Sequence, residues 1–139
     1  MLTLEEALGL CTAARDAAYE QATPPMSFAV MDPGGHLAAL LRMDGALWIT
    51  ATVAQGKAWT SAAYGAPSHA QKEKMAQMPN FAIALTTMTG GAYTPQTGGV
   101  PVYRDGVLLG GLGASGGTGD EDQAAVTAAV EEIGCTTTA

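Results

Sequence analysis

The sequence predicts an α+β domain in which helices pack on an antiparallel sheet in two or three layers. The turn segments Pro33-Gly34-Gly35 and Asp105-Gly106 each separate two short apolar runs, and connections this short join antiparallel neighbours. Apolar residues recur at helical spacing before, between and after these two hairpins. The 139 residues are interpreted as one domain, residues 1–139, because a domain usually has about 100–200 residues.

The first helix and the first hairpin have clear sequence boundaries. Thr3 and Glu6 match the Ser/Thr-x-x-Glu capping box that begins a helix, and Pro24 ends the helical run. Residues 27–32 and 36–42 are then the two predicted strands of the hairpin.

The segment from Trp48 to Tyr64 predicts a second helix, which Gly65 ends. Its repeating stripe contains unusually small residues and consists of Ile49, Val53, Gly56, Thr60 and Ala63. Small residues let another backbone or a flat ligand approach closely, so both core packing and a ligand surface explain this stripe.

Two short helices and a candidate strand follow. Ser68 and Gln71 match a second capping box, and Asn80 is the predicted cap of the next short helix. Residues 92–96 are a candidate edge strand, although Pro95 limits its pairing.

The C-terminal part of the sequence predicts a second hairpin and a last helix. Residues 99–103 and 107–114 are the strands, joined at Asp105-Gly106. Thr118 and Glu121 form a third capping box at the start of the helix.

Charge and composition exclude several classes of protein. The net charge is −7, with six basic residues and none after Arg104, which argues against binding to nucleic acid or to an anionic membrane surface. No apolar run approaches the ~20 residues that span a bilayer, and no export signal precedes the first helix. We therefore expect a cytoplasmic protein in which Cys11 and Cys135 stay reduced, with Cys11 on the buried face of its helix.

The segment from Gly111 to Gly116 matches G-x-G-x-x-G, but its context excludes a dinucleotide-binding fold. The strand before it belongs to a hairpin, and too few residues follow for a parallel crossover unit. The loop that contains Ser115, Gly116 and Gly117 precedes a helix, where free amides favour an anionic group.

Three acidic residues, Asp120, Glu121 and Asp122, occupy the first turn of that last helix. Capping explains them most simply, and Asp122 is the residue that capping explains least. The alternative is a carboxylate group that holds a cation or acts as a base.

Four further side chains are candidates for chemistry. His36 and His69 are the only imidazoles. No pair of residues has ligand spacing, so each is most simply a surface histidine; the alternative is a ligand to iron, with His36, which follows the first turn, as the first candidate. Lys57 lies in the middle of the small-residue helix, either as a surface lysine or as a partner for an anionic ligand. Asp44 is most simply part of a turn and forms a surface pair with Arg42.

Five segments, in this order, resemble the motifs of the GlcG/HbpS family, which is itself similar to the C-terminal domain of PduO-type adenosyltransferases. They are Asp32-Pro-Gly-Gly-His36, Arg42-Met-Asp-Gly-Ala46, Ala54-Gln-Gly-Lys57-Ala58, Gly98-Gly-Val-Pro-Val102 and Gly113-Ala-Ser-Gly-Gly-Thr-Gly-Asp-Glu-Asp122. The resemblance implies a roughly five-stranded antiparallel sheet with flanking helices, in a profilin-like layering. It also implies a homo-oligomer, from dimer to octamer, and haem as a cofactor in some members.

Two functional hypotheses follow, and a scaffold role is a third. In the first, the chain binds a small ligand or haem between the Lys57 helix and the Gly-rich loop, with His36 as the first ligand to iron. In the second, it is a cofactor-free isomerase, lyase or hydrolase acting on a small acidic metabolite. Lys57 would then pair with the substrate carboxylate, the amides of residues 115–117 would stabilise an oxyanion, and Asp44, Asp122 or His36 would move the proton.

Overall fold

The computed structural model describes all residues from Met1 to Ala139 and has five helices and four strands. In chain order these are α1 (Leu4–Glu20), β1 (Ser27–Met31), β2 (Leu37–Arg42), α2 (Ile49–Tyr64), α3 (Ser68–Met75), α4 (Pro79–Met88), β3 (Gly99–Arg104), β4 (Val107–Ser115) and α5 (Gly119–Glu132). The predicted α+β class is confirmed. None of the helices is both long and apolar enough to cross a membrane.

The sheet has four strands in the order β2-β1-β4-β3, and all neighbours are antiparallel. Both predicted hairpins form. At the second turn Asp105 and Gly106 have φ of 51° and 75°, the left-handed values that a two-residue hairpin of this type requires.

The expectation of a fifth strand is wrong, because residues 92–96 are not a strand. Thr94 instead donates its amide to Thr60 Oγ1 at 2.8 Å, and Pro95 has no amide to give to a sheet. This segment crosses the outer face of α2, where a methyl group added at Gly56 would meet the Thr94 side chain. We refer to residues 92–97 as the strap.

Two of the three predicted capping boxes are confirmed, at Thr3 of α1 and Thr118 of α5. The third is wrong: Ser68 and Gln71 make no cap, and both are buried. Ser68 Oγ accepts the amide of Gly99 at 2.8 Å, and Gln71 Oε1 accepts the hydroxyl of Tyr93 at 2.9 Å. Ser68 and Gln71 therefore form tertiary hydrogen bonds instead of capping the start of α3.

The two faces of the sheet carry different helices. The larger core, which contains Phe28, Val30 and Leu112, packs against α1 and α5. Cys11 lies in this core as predicted; burial raises the pKa of its thiol to about 12, and neither cysteine forms a disulfide.

Helix α2 covers the other face of the sheet. The side chains of α2 that join β1 in the smaller core are Ala54, Ala58 and Ala62. The predicted small-residue stripe lies on a different face of α2. Its members Gly56 and Thr60 lie beneath the strap, and Ile49 is exposed.

Glycines of β4 let α2 lie close to the sheet. A methyl group added at Gly113 would stand 2.6 Å from the amide nitrogen of Ala58, and one at Gly111 would stand 2.9 Å from that of Ala62. Real side-chain carbons do not approach backbone atoms this closely, so α2 can occupy its position only because both residues are glycine.

Candidate functional site

Helix α2 has a cleft along each of its two flanks, and the strap crosses the helix between them. Residues of α2 spaced by three or four positions share a flank. Gln55 and Trp59 line one cleft, and Val53 and Lys57 line the other. We call these the Trp59 cleft and the Lys57 cleft.

The Trp59 cleft has a volume of about 410 Å³. No charged residue lines it; its walls are Met31, Gly35, Leu37, Thr52, Gln55, Gly56, Trp59, Gly90, Gly91 and Ala92. Gly35 lies against the indole, since a methyl group there would stand 2.7 Å from Trp59 Nε1. At Gly90 and Gly91, by contrast, an added methyl group would meet nothing within 4 Å, so a flat ligand could approach the backbone there.

His36 lies between Gly35 and Leu37, at the rim of this cleft. The Asp32 carboxylate accepts the amides of Gly34 and His36, each at 2.9 Å, which lowers the pKa of Asp32 below its ordinary range. His36 Nδ1 lies 3.2 Å from Asp32 Oδ1. The imidazole is 82% exposed, and Nε2 has no hydrogen-bond partner in the chain, so Nε2 is free to act as a ligand.

The Lys57 cleft has a volume of about 300 Å³ and, unlike the Trp59 cleft, is lined by charged side chains. It lies between α2, the end of β4, the strap and the start of α5. Its walls are Val53, Lys57, Lys72, Gln96, Thr97, Ser115, Gly117, Gly119 and Asp122.

Lys57 and Asp122 form a buried ion pair at the base of this cleft. Lys57 Nζ donates to Asp122 Oδ2 at 2.9 Å and to the carbonyl of Ala114 at 3.0 Å. Asp122 Oδ1 accepts the amide of Gly117 at 3.0 Å. Burial raises the pKa of Asp122 and outweighs the opposing effects of Lys57 and Gly117. Lys57 is thus neither a surface lysine nor an unpaired cation.

Ser115 is the one nearly buried side chain of the Lys57 cleft whose polar atom has no partner in the chain. It is only 9% exposed, and its hydroxyl makes no hydrogen bond to protein. Gly119 is the first residue of α5, so its amide has no carbonyl partner within the helix. These two donors are available to a ligand.

The structure brings together only some of the predicted site residues. Lys57, Asp122, Ser115 and Gly117 line one cleft. Gly116 lies behind it with φ of 141°, in contact with Pro25.

His36 and Asp44 lie outside the Lys57 cleft. His36 is at the opposite end of β1 from Ser115, whose partner is Ser27, and the four residues to Met31 span about 13 Å. Asp44 is exposed in the turn after β2. The expected pair with Arg42 is wrong, because Arg42 donates to the carbonyl of Ala46 at 2.9 Å.

Sequence reasoning missed Trp59, Gln55, Lys72 and the strap residue Thr97. The spacing of Gln55, Gly56 and Trp59 could have indicated a shared flank of α2. No sequence signal placed Lys72 or Thr97 near Lys57, because each approaches from a different element.

The fold and its clefts define a class: a small α+β domain whose central helix offers two ligand-sized surfaces. A family model described as "Haem degrading protein HbpS-like" matches residues 2–131. The chain belongs to this HbpS-like family, and the resemblance to the GlcG/HbpS family is confirmed.

Individual relatives agree with this assignment. The corrinoid adenosyltransferase PduO of Citrobacter freundii is 31% identical over 115 residues, or 82% of this chain, and the match spans only 34% of that relative. Protein GlcG of Escherichia coli K12 is 41% identical over 90 residues, covering 65% of this chain and 63% of that one. A crystal structure of a PduOC:haem complex superposes with a TM-score of 0.87, 29% identity and 99% coverage of both chains.

Proposed function

We propose that this chain binds a small ligand in the Trp59 cleft and that this ligand is haem. His36 would bind the iron. The observation that supports this proposal most directly is the similarity, over 99% of both chains, to a protein crystallised with haem.

The residues at this cleft fit a haem group. The Asp32 carboxylate contacts His36 Nδ1, which would orient the ring and leave Nε2 to bind the iron. No group of three or more His, Cys, Asp and Glu side chains is arranged to hold a metal ion, so a porphyrin would have to supply the other ligands. Bound haem would supply an iron centre for ligand binding or electron exchange.

The Trp59 indole and the neighbouring glycines would contact the flat macrocycle. Leu37 and Met31 add apolar surface at the same cleft. No lysine or arginine lines it, so this cleft offers no side-chain cation to the propionates.

A hemin titration of the purified chain, followed by the Soret band, tests this proposal. We expect a shifted band that is lost in His36→Ala and retained in His69→Ala. His69 is the matched control because it is the other imidazole, is partly exposed and lies on α3. An unshifted band, or a band unchanged in His36→Ala, would contradict the proposal.

The second candidate function is a cofactor-free enzyme for a small acidic metabolite in the Lys57 cleft. The unpartnered hydroxyl of Ser115, beside a buried ammonium and carboxylate, is the observation that favours it. Lys57 already neutralises Asp122, so Lys72 is the cation available to a substrate carboxylate. Asp122 is the group that would move a proton, and Gly119 and Ser115 would donate to an oxyanion.

Binding of pyruvate and lactate, followed by amide chemical shifts, tests this second candidate. Shifts centred on Ser115 and Gly119 that disappear in Ser115→Ala and in Lys72→Ala would support it. The matched control is Lys74→Ala, on the same helix but outside the cleft. Shifts of the same size in Ser115→Ala would contradict it.

A further inference from the structure

One end of the Lys57 cleft is suited to a carboxylate. Lys72 reaches it from α3, which follows the C-terminal end of α2, and forms no ion pair within the chain. Thr97 of the strap lies beside Gly119, since a methyl group added there would stand 3.1 Å from the threonine Cβ. Lys57 is already neutralised by Asp122, so Lys72 is the cation that an acidic ligand would meet at this end.

The other end of the cleft is apolar. Val53 is the one apolar side chain in its walls, and Ile49 precedes it by about one turn of α2, on the same flank. Ile49 is 44% exposed. An exposed apolar residue is ordinary by itself, but Ile49 continues the line formed by Lys57 and Val53. It therefore extends the cleft with an apolar surface.

The packing of α2 on the sheet fixes the direction of this line. Thr50, next to Ile49, forms a hydrogen bond of 2.8 Å with Ser27 Oγ, and Ser27 is the strand partner of Ser115. The first turn of α2 therefore lies near Ser115, at the end of the cleft away from α3. Ile49 precedes Lys57 by eight residues, so the two lie about 12 Å apart along the helix axis.

The Ser115 hydroxyl opens into the cleft between its two ends. The side chain is 9% exposed and has no hydrogen-bond partner in the chain. It is nevertheless not sealed off, because Ser61 Oγ is the one unpartnered side-chain atom that is completely enclosed. A ligand oxygen could thus bind Ser115 while the rest of the ligand extends in both directions.

We propose that the ligand of the Lys57 cleft is a carboxylate that carries an apolar chain. The carboxylate lies at Lys72 and the Gly119 amide, an oxygen substituent lies at Ser115, and the chain lies over Val53 and Ile49. The inference rests on the second candidate function and narrows its substrate class, since a compact acid cannot span about 12 Å. Burial of the chain adds affinity in proportion to the apolar area removed from water.

Titrations with pyruvate, 2-oxooctanoate and 2-octanone, followed by amide chemical shifts, test the inference. The first two share a head group and differ in the chain, and 2-octanone has a similar chain but no carboxylate. We expect 2-oxooctanoate to bind about tenfold more tightly than pyruvate, with shifts at Ser115, Gly119 and Ile49. The ketone should bind much more weakly than 2-oxooctanoate.

Ile49→Ser tests the apolar end directly. It should weaken 2-oxooctanoate binding about fivefold and leave pyruvate binding unchanged. Trp48→Ser is the matched control: Trp48 is also exposed, at 76%, but shares its flank of α2 with Thr52 of the Trp59 cleft. It should keep the native affinity for both acids. Ile49→Ala, which favours the helix, gives the same test if Ile49→Ser fails to fold.

The outcomes separate this inference from the second candidate function. If pyruvate shifts Ser115 and Gly119 and 2-oxooctanoate binds no more tightly, the apolar chain is overturned and the acidic-metabolite site stands. If neither acid shifts these amides, both are overturned. Equal binding of 2-octanone and 2-oxooctanoate, or native affinity for 2-oxooctanoate in a folded Ile49 variant, also overturns the inference.

Discussion

The two clefts beside α2 differ in what closes them, although one helix supplies a wall to both. Glycines and an indole close the Trp59 cleft, and no charge lines it. The end of β4, the start of α5 and two lysines close the Lys57 cleft. The difference shows that the position of a residue around α2 determines which cleft its side chain lines. Trp59 is only two residues after Lys57 and lies on the other flank.

The largest effect should come from breaking the ion pair of the Lys57 cleft. Lys57→Met leaves the Asp122 carboxylate buried without its cation, which costs about 3–5 kcal/mol of folding free energy. Urea denaturation followed by circular dichroism measures this loss. The double variant Lys57→Met, Asp122→Leu should recover most of it, because it removes both charges. If the double variant is as unstable as the single one, the pair is not what stabilises this region.

The next largest effect should come from the glycine that seats α2. In Gly113→Ala the new methyl group meets backbone atoms of Ala54 and Ala58, so α2 must shift at a cost of about 1–3 kcal/mol. Both clefts should change shape together.

Gly9→Ala is the matched control for this prediction. Gly9 lies within α1 with nothing near its would-be methyl group, so the same substitution should stabilise the chain by roughly 0.5–1 kcal/mol. Equal destabilisation by the two substitutions would argue against close seating of α2.

A smaller effect separates the ligands of the two clefts. Trp59→Leu should weaken hemin binding about tenfold, or ~1.4 kcal/mol, by removing aromatic contact, and leave pyruvate binding unchanged. Ser115→Ala should do the reverse. Fluorescence quenching and chemical-shift titrations measure the two affinities. A variant that weakens the binding of both ligands equally would indicate that they share one site.

The smallest effects concern the pH dependence of folding stability. The contributions of Asp32, near the Trp59 cleft, and Asp122, in the Lys57 cleft, should change with pH in opposite directions. Amide hydrogen bonds lower the pKa of Asp32, so its stabilisation is present above the ordinary Asp value of about 3.9 and is lost as the pH falls through the lowered pKa. The pKa of Asp122 is raised by burial, so its protonation favours the folded state as the pH falls towards the ordinary value.

Urea titrations between about pH 3 and pH 6 measure this difference. As the pH falls, native stability relative to Asp32→Asn should decrease, and native stability relative to Asp122→Asn should increase. Parallel slopes for the two variants would contradict the opposite environments of the carboxylates.

Features fixed by neighbouring residues could be predicted from the sequence. The Asp105-Gly106 turn needs positive φ at both residues, and the Thr118 cap needs only Glu121 three positions on. Both form as predicted. The capping box at Ser68 and Gln71 failed for a physical reason: both side chains are buried against distant segments, which offered them better partners.

The candidate site could be predicted only in part, for the same reason. Capping explains Asp122 poorly, and its partner is Lys57, 65 residues away. Nothing local indicates that a lysine will be 5% exposed; the seating of α2 on Gly99, Gly111 and Gly113 determines it. The sequence motifs group His36 with Lys57, because sequence order does not reveal that the two residues lie near opposite ends of β1.

The strap gives the two clefts a common wall. Ala92, at its start, borders one cleft, and Gln96 and Thr97, at its end, border the other. A ligand that displaces the strap from either side must work against the same hydrogen bond from Thr94 to Thr60. If ligand binding moves the strap, occupancy of one cleft therefore changes the affinity of the other. The coupling is reciprocal: each ligand changes the affinity for the other by the same factor.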